Sequence, residues 1–179
     1  SGYKTQNVTK MNSMFYNCKA LTDPGINGLN TSSVTDMSQL FNGCTSLKNL
    51  DLGDSFDTSS VTNMASMFKG CTSLIRLNLG SFDTSNVTSM ATMFQNCSAL
   101  TMFDLSNFST GNVTSMYNMF SGCSSAKRIY VDDGWDTSSV TNDSDMFFNC
   151  STLEGGNGTV FDSNYIDSTY TCIDNEGQP

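Results

Sequence analysis

The stretch Phe82–Cys97 reads FDTSNVTSMATMFQNC, and near-copies of it recur along the chain, each closed by a cysteine. Six valines mark the copies and lie 26, 27, 26, 26 and 27 residues apart: Val8, Val34, Val61, Val87, Val113 and Val140. A fixed period of this length is typical of a solenoid, in which one supersecondary unit stacks on the next. The sequence therefore predicts one domain of stacked repeats, with no single central core.

Each copy has the pattern of a short helix. In the quoted copy the apolar residues lie on one face of a helix of about two to three turns: Val87, Met90, Met93, Phe94 and Cys97. Asp, Thr or Ser oxygens before the valine can accept the first unpaired N–H groups of that helix. A Gly or Asn directly before every cysteine readily takes the left-handed conformation that ends a helix. We therefore predict one helix per repeat.

A second pattern lies between the predicted helices. Leu100, Phe103 and Leu105 form an L-x-x-L-x-L phrase, whose last two apolar residues alternate as in a half-buried strand. One strand and one helix per repeat predict an α/β solenoid of the leucine-rich-repeat type. In the first repeat Pro24 replaces the middle leucine, which predicts an edge strand there.

The repeats end at Leu153, so the sequence divides into a six-copy solenoid over residues 1–153 and a C-terminal cap over residues 154–179. Two β-prone runs in the cap, Thr159–Asp162 and Thr169–Asp174, predict a hairpin that covers the last repeat. A cap of this kind closes the open apolar end of a solenoid.

The phrase F-D-T-S-N-V-T-x-M-x-x-M-F-x-x-C, followed by L-x-x-L-x-L, resembles the repeat of BspA-like leucine-rich-repeat surface proteins of host-associated bacteria. The resemblance implies a curved, right-handed solenoid that is secreted, displayed at the bacterial surface and adhesive towards host or bacterial ligands. It supplies no catalytic residue. In the last copy Asp143 stands where the other copies have methionine, which predicts an irregular helix.

Six of the seven cysteines occupy the same place in successive repeats. Neighbouring helices would pack about 8–10 Å apart, whereas a disulfide needs Cβ atoms about 3.5–4.5 Å apart. We therefore expect these thiols to be reduced and buried as small apolar groups. Cys172, in the cap, is the one that we expect to form a disulfide, with Cys150 as a candidate partner.

Composition argues against several functions. The net charge of −9 disfavours nucleic acid and anionic lipid as partners. The chain has no histidine, and no cysteine spacing typical of a metal site, so we predict neither an enzyme nor a cofactor or metal. The D-T-S triplets resemble the aspartic-protease loop only superficially, because those enzymes bring two carboxylates to one site. The threonine column Thr58, Thr84, Thr110 and Thr137 is a weak candidate for an ice-binding face.

A binding surface is predicted on the strand side. Strands stack about 4.8 Å apart and helices nearly twice that, so the stack should curve with its sheet inside. Residues that alternate with the buried strand positions then point out of the concave face. These predicted ligand-binding residues are Asn49, Asp51, Arg76, Asn78, Met102, Asp104, Arg128 and Tyr130.

The sequence thus favours a monomeric, non-enzymatic surface or secreted module for adhesion or recognition of a host or bacterial surface protein or glycoprotein. Two alternatives stay open. One is a rigid spacer that holds another module away from the cell. The other is a carbohydrate-binding module, for which Tyr130 and Trp135 lie near Asp132 and Asp133.

Overall fold

The computed structural model describes residues 4–53, 55–155, 161–164 and 166–168. The chain winds into stacked coils, each beginning at one of the six motif valines, and we number them 1 to 6. Parallel β-bridges join the same position in all six coils: Lys10, Asp36, Asn63, Ser89, Ser115 and Asn142. The predicted stack of repeats is therefore present.

The segment from the motif valine to the motif cysteine, which we call the turn face, is not helical. Its N–H groups alternate between two kinds of acceptor. The Phe94 N–H donates to the Met119 carbonyl in the next coil (2.9 Å), whereas the Met93 N–H donates to the Met90 carbonyl three residues back (3.1 Å). Every second amide thus joins two coils, and the amides between them close tight turns.

The prediction of one helix per repeat is therefore wrong. Thr92 (φ 56°) and Asn96 (φ 61°) are left-handed, and so are their counterparts in the other coils. A right-handed helix cannot contain such residues. The apolar spacing was compatible with a helix because the left-handed residue recurs every four residues, close to the 3.6 residues of a helical turn, and so also returns side chains to one face. The left-handed Gly or Asn before each cysteine is confirmed.

The interior is built from columns of identical side chains. Phe15, Phe41, Phe68, Phe94, Phe120 and Phe147 form a stacked column with ring centroids 5.4–5.9 Å apart. A second column contains Phe56, Phe82 and Phe108, with centroids 6.1 and 6.4 Å apart. Because the turn face is also hydrogen-bonded coil to coil, it has no helix-like spacing. The mismatch from which we predicted curvature is therefore absent, and we call the opposite side the strand face instead of the concave face.

The motif cysteines complete this interior. The Cys97 thiol donates to the Phe68 carbonyl of the preceding coil (3.1 Å), and that carbonyl also accepts the Cys71 N–H. Cys44, Cys71, Cys97, Cys123 and Cys150 are buried and unpaired, as predicted for the repeat cysteines, whereas the sixth, Cys18, is unpaired but only half-buried. The candidate Cys150–Cys172 disulfide is not formed, because the Cys150 thiol instead donates to the Phe120 carbonyl (3.1 Å). Cys172 itself lies outside the described residues.

Thr31, Thr58, Thr84 and Thr110 form a buried clamp between coils. The Thr84 hydroxyl donates to the Ser109 carbonyl (2.9 Å) and accepts the Ser109 N–H (2.8 Å), and the other three make the same pair of bonds. These threonines are at most 1% exposed. The idea of an ice-binding column at Thr58, Thr84 and Thr110 is therefore wrong.

Four short parallel strands lie on the strand face: β1 (Asn49–Leu50), β2 (Arg76–Leu77), β3 (Met102–Asp104) and β4 (Arg128–Tyr130). One strand lies in each of coils 2 to 5, which confirms the strand predicted for these coils. The predicted edge strand at Pro24 is absent, since residues 21–26 contain no strand.

The C-terminal end is covered through Asp143. Its carboxylate accepts hydrogen bonds from the N–H and hydroxyl of Ser168, which lower the pKa of Asp143. In parallel, the Phe147 N–H donates to the Ile166 carbonyl (2.9 Å) and so continues the coil-to-coil pattern. Asp143 thus anchors a covering segment. The predicted hairpin lies largely outside the described residues. No helix in the described ranges is long and apolar enough to cross a bilayer.

Candidate functional site

The strand face carries all eight residues predicted to bind a ligand. In the strand register Asn49 is paired with Arg76, Met102 with Arg128, and Asp104 with Tyr130. All eight are exposed except Arg128, which is half-buried. The sequence therefore located an outward surface correctly, although it did not predict how that surface is divided.

The strand face is interrupted in its middle. β1 pairs with β2 and β3 pairs with β4, but β2 and β3 are not hydrogen-bonded to each other. Elsewhere the Ile75 N–H donates to the Lys48 carbonyl, and the Lys127 N–H donates to the Thr101 carbonyl, both at 2.8 Å. The equivalent bond from Thr101 to Ile75 is not made. We call this break between coils 3 and 4 the seam.

The seam coincides with a change of side chain. Coils 2 and 3 have Leu50 and Leu77 at the inward strand position, whereas coil 4 has Phe103. The Phe103 ring packs edge-on against Phe94 and Phe120, with both centroid distances 5.2 Å. Because this larger ring reaches towards coil 5, we attribute the separation of β3 from β2 to Phe103. Leu77 is correspondingly only half-buried.

A shallow groove of about 410 Å³ extends over coils 2 to 4 and includes the seam, and we call it the seam groove. It is lined by Asn49, Leu50, Asp51, Ile75, Arg76, Leu77, Asn78, Leu100, Thr101, Met102 and Asp104. Six of the eight predicted residues therefore meet here, while Arg128 and Tyr130 lie outside the groove.

Two exposed apolar side chains flank the seam groove. Ile75 is 53% exposed and Met102 is 55% exposed. Ile75 escaped the sequence prediction because it lies just before its strand, outside the alternating positions. A signal was present, since the same place holds Lys48, Thr101 and Lys127 in coils 2, 4 and 5.

Part of the polar lining has a structural role. The Oδ1 atoms of Asp51, Asn78 and Asp104 accept the backbone N–H two residues ahead, at 3.0, 3.0 and 3.2 Å. These side chains close the turn that follows each strand. One oxygen of each of these side chains is therefore engaged within its own turn, and the role of the column in ligand binding stays a prediction.

The two strand-face arginines differ in their surroundings. Arg128 lies 3.7 Å from the Glu154 carboxylate and also donates to the carbonyls of Glu154 and Gly155. The Arg76 guanidinium makes no ion pair or hydrogen bond within the part of the chain that the structure describes, although the Arg76 backbone N–H donates to the Lys48 carbonyl. Arg76 is therefore the arginine that is available to a ligand, whereas Arg128 holds the C-terminal segment.

The alternative chemistries find little support in the geometry. Trp135 is only 6% exposed and occupies the place of Phe56 in the second aromatic column, so the pairing of Trp135 with Tyr130 for sugar binding is wrong.

Asp83 and Asp136 bind Ser85 and Ser138 within their own turns, and these hydrogen bonds lower the pKa of both carboxyls. Burial raises the pKa of Cys44 to about 11 and that of Cys71 to about 12, so these thiols stay protonated. The described residues hold no cluster of metal ligands.

Comparison with known families finds a model described as "Mycoplasma protein of unknown function, DUF285", which matches residues 1–100 and 49–160. No curated protein is significantly similar to the chain. Among solved structures, the chain is similar to a leucine-rich cell surface protein from Faecalibacterium prausnitzii A2-165, at 22% identity and a TM-score of 0.42. The match covers 69% of this chain but 36% of that protein, so the chain spans about a third of its length. At this TM-score the similarity supports no inference.

Proposed function

Because this chain belongs to the DUF285 family, whose description assigns no function, we propose from its geometry that it is a non-enzymatic recognition module. The partner is a host or bacterial surface protein, bound on the strand face at the seam groove. The observation that carries this proposal is the pair of exposed apolar side chains, Ile75 and Met102, beside the unpaired Arg76. Exposed aliphatic groups next to an arginine are typical of protein interfaces.

Variation between the coils supports the same assignment. The turn face repeats nearly the same residues in every coil, because each has a defined place in the coil-to-coil bonding. On the strand face the position of Arg76 holds Asn49, Met102 and Arg128 in coils 2, 4 and 5. An interaction surface that recognises one partner needs such local differences, whereas the scaffold needs uniformity.

A second candidate function is that of a rigid spacer in a larger surface protein. The turn-face hydrogen bonding, which continues across every pair of neighbouring coils, favours it, since a stack bonded in this way resists bending. Surface display belongs to both candidates. They differ in that a spacer has no ligand of its own.

Binding of the purified chain to an array of host surface proteins and glycoproteins tests the proposal. The double variant Arg76→Ala with Met102→Ala should weaken binding of a partner by about 1–3 kcal/mol, as for loss of a charged hydrogen bond. The matched control is Lys69→Ala with Gln95→Ala on the turn face, which should bind like the wild type. If only the control variant loses binding, the site lies on the turn face. If the wild-type chain binds nothing on the array, the spacer is favoured.

A further inference from the structure

The seam leaves main-chain groups without the partners that they have elsewhere on the strand face. The Asn78 N–H donates to the Leu50 carbonyl at 3.2 Å, but no such bond links β3 back to β2. Across the seam, no backbone hydrogen bond within the described residues is made to the Ile75 carbonyl or from the Thr101 N–H. An extended main chain that lies over the groove can donate to a carbonyl and accept from an N–H of this kind.

Charge is distributed unevenly over the strand face. Four of the eight Lys and Arg residues of this acidic chain lie on two adjacent positions at the start of the strands: Lys48, Arg76, Lys127 and Arg128. Carboxylates lie at the other end, at Asp51 and Asp104. Because Arg128 is held by Glu154, Arg76 is the arginine of this set that is free to pair with an external carboxylate.

The apolar contacts lie within reach of the same arginine. Ile75 precedes Arg76 in the chain, and Met102 occupies the position equivalent to Arg76 in the next coil. A ligand that reaches Arg76 thus meets two exposed aliphatic side chains and free main-chain groups together. A polypeptide offers all three kinds of group at once, whereas a glycan has no aliphatic side chain.

We infer that the seam groove binds an extended peptide segment of the partner that carries an acidic side chain, with the carboxylate on Arg76 and adjacent aliphatic groups on Ile75 and Met102. This inference rests on the proposed function and specifies its ligand. Phe103 sets the selectivity indirectly, because its ring keeps β3 apart from β2 and leaves the main-chain groups accessible.

The test uses three seven-residue peptides that alternate valine with glutamate, glutamine or lysine, each labelled for fluorescence polarisation. The wild-type chain should bind the glutamate peptide about tenfold more tightly than the glutamine peptide, and the lysine peptide least. Arg76→Gln should abolish the discrimination between glutamate and glutamine. Lys69→Gln, a charge change on the turn face, should leave it intact.

Phe103→Leu tests the role of the seam without changing any polar group of the groove. Leucine is already present at this position in coils 2 and 3, so the variant should fold, which thermal unfolding verifies. With β2 and β3 able to pair, binding of the glutamate peptide should fall at least about tenfold as the main-chain groups become occupied. Hydrogen exchange should show new protection of the Thr101 amide.

Three results would overturn the inference: equal or tighter binding of the lysine peptide, glutamate discrimination that survives Arg76→Gln, or unchanged binding by a folded Phe103→Leu variant. Failure of the inference is distinguishable from failure of the proposed function. If a protein from the array loses affinity in the Arg76→Ala, Met102→Ala variant while no peptide shows a preference for glutamate, the strand-face site stands and the acidic peptide is wrong.

Discussion

Replacing the buried hydroxyl of Thr84 tests how the coils are held together. Thr84→Val keeps the shape of the side chain but removes both of its hydrogen bonds to Ser109, at 2.8 and 2.9 Å. The Ser109 N–H and carbonyl would then face an apolar methyl group inside the stack. The change therefore tests the contribution of these hydrogen bonds separately from that of side-chain packing.

The cost follows from the number of groups left without a partner. A buried polar group that loses its hydrogen bond costs about 1–3 kcal/mol. Two groups are affected, so we expect the free energy of unfolding to fall by about 2–6 kcal/mol. With a urea m-value of about 2 kcal/mol/M for a chain of this size, the midpoint should shift down by about 1–3 M.

Urea unfolding followed by circular dichroism measures this shift, with two controls. Thr84→Ser retains the hydroxyl and should lose much less stability. Thr137→Val alters the equivalent threonine of coil 5, whose hydroxyl makes no hydrogen bond within the described ranges. A midpoint for Thr84→Val within about 0.3 M of the Thr137→Val midpoint, at the m-value given above, would refute the clamp.

Two further predictions concern the repeated cysteine and the residue before it. In the folded chain Cys18, which is half-buried, should react with a thiol reagent before the five buried repeat thiols, which should react only on unfolding. Unfolded cysteine ionises near its usual pKa of 9.0, whereas burial holds the pKa of folded Cys71 at about 12. Unfolding therefore releases protons, and the free energy of unfolding should fall as the pH rises between these two values. A urea midpoint that stays constant from about pH 8 to about pH 10.5 would contradict this. Gly70 has a φ of 72°, so Gly70→Val should lower the free energy of unfolding by about 1–3 kcal/mol. Gly70→Asn, the residue found in coils 1, 4 and 6, should lose less, and equal melting temperatures for the two variants would argue against left-handed strain.

The sequence was informative about periodicity and about which side chains are inside. Val87, Met90, Met93, Phe94 and Cys97 are all fully buried, as the apolar pattern predicts. The pattern failed on the type of backbone, because a left-handed residue at every fourth position and a helix of 3.6 residues per turn place side chains alike over so short a segment. The difference lies in whether amides bond within the chain or to the next coil, which is a long-range property.

The candidate site was predictable in part for the same reason. Alternation along β3 correctly placed Met102 and Asp104 outside and Phe103 inside. The seam was not predictable, since a phenylalanine at a leucine position reads as a conservative change in sequence. Its effect depends on the rings of Phe94 and Phe120, which belong to other parts of the repeat. The attachment of Arg128 to Glu154 likewise joins residues 26 positions apart.

The bonding between coils also bears on how such a gene can change. On the turn face each of the coils 2 to 5 contributes the same backbone donors and acceptors to its two neighbours, and the motif cysteine and phenylalanine occupy equivalent places in each. Deleting or duplicating one whole coil, as happens when repetitive DNA misaligns during replication, would rejoin two faces that already fit. Slippage by any other length would place valine against a turn residue and leave the amides out of register. The coil is thus the smallest segment by which the protein can lengthen or shorten and still fold. The length of the stack can therefore change during evolution by whole coils while the seam groove is kept.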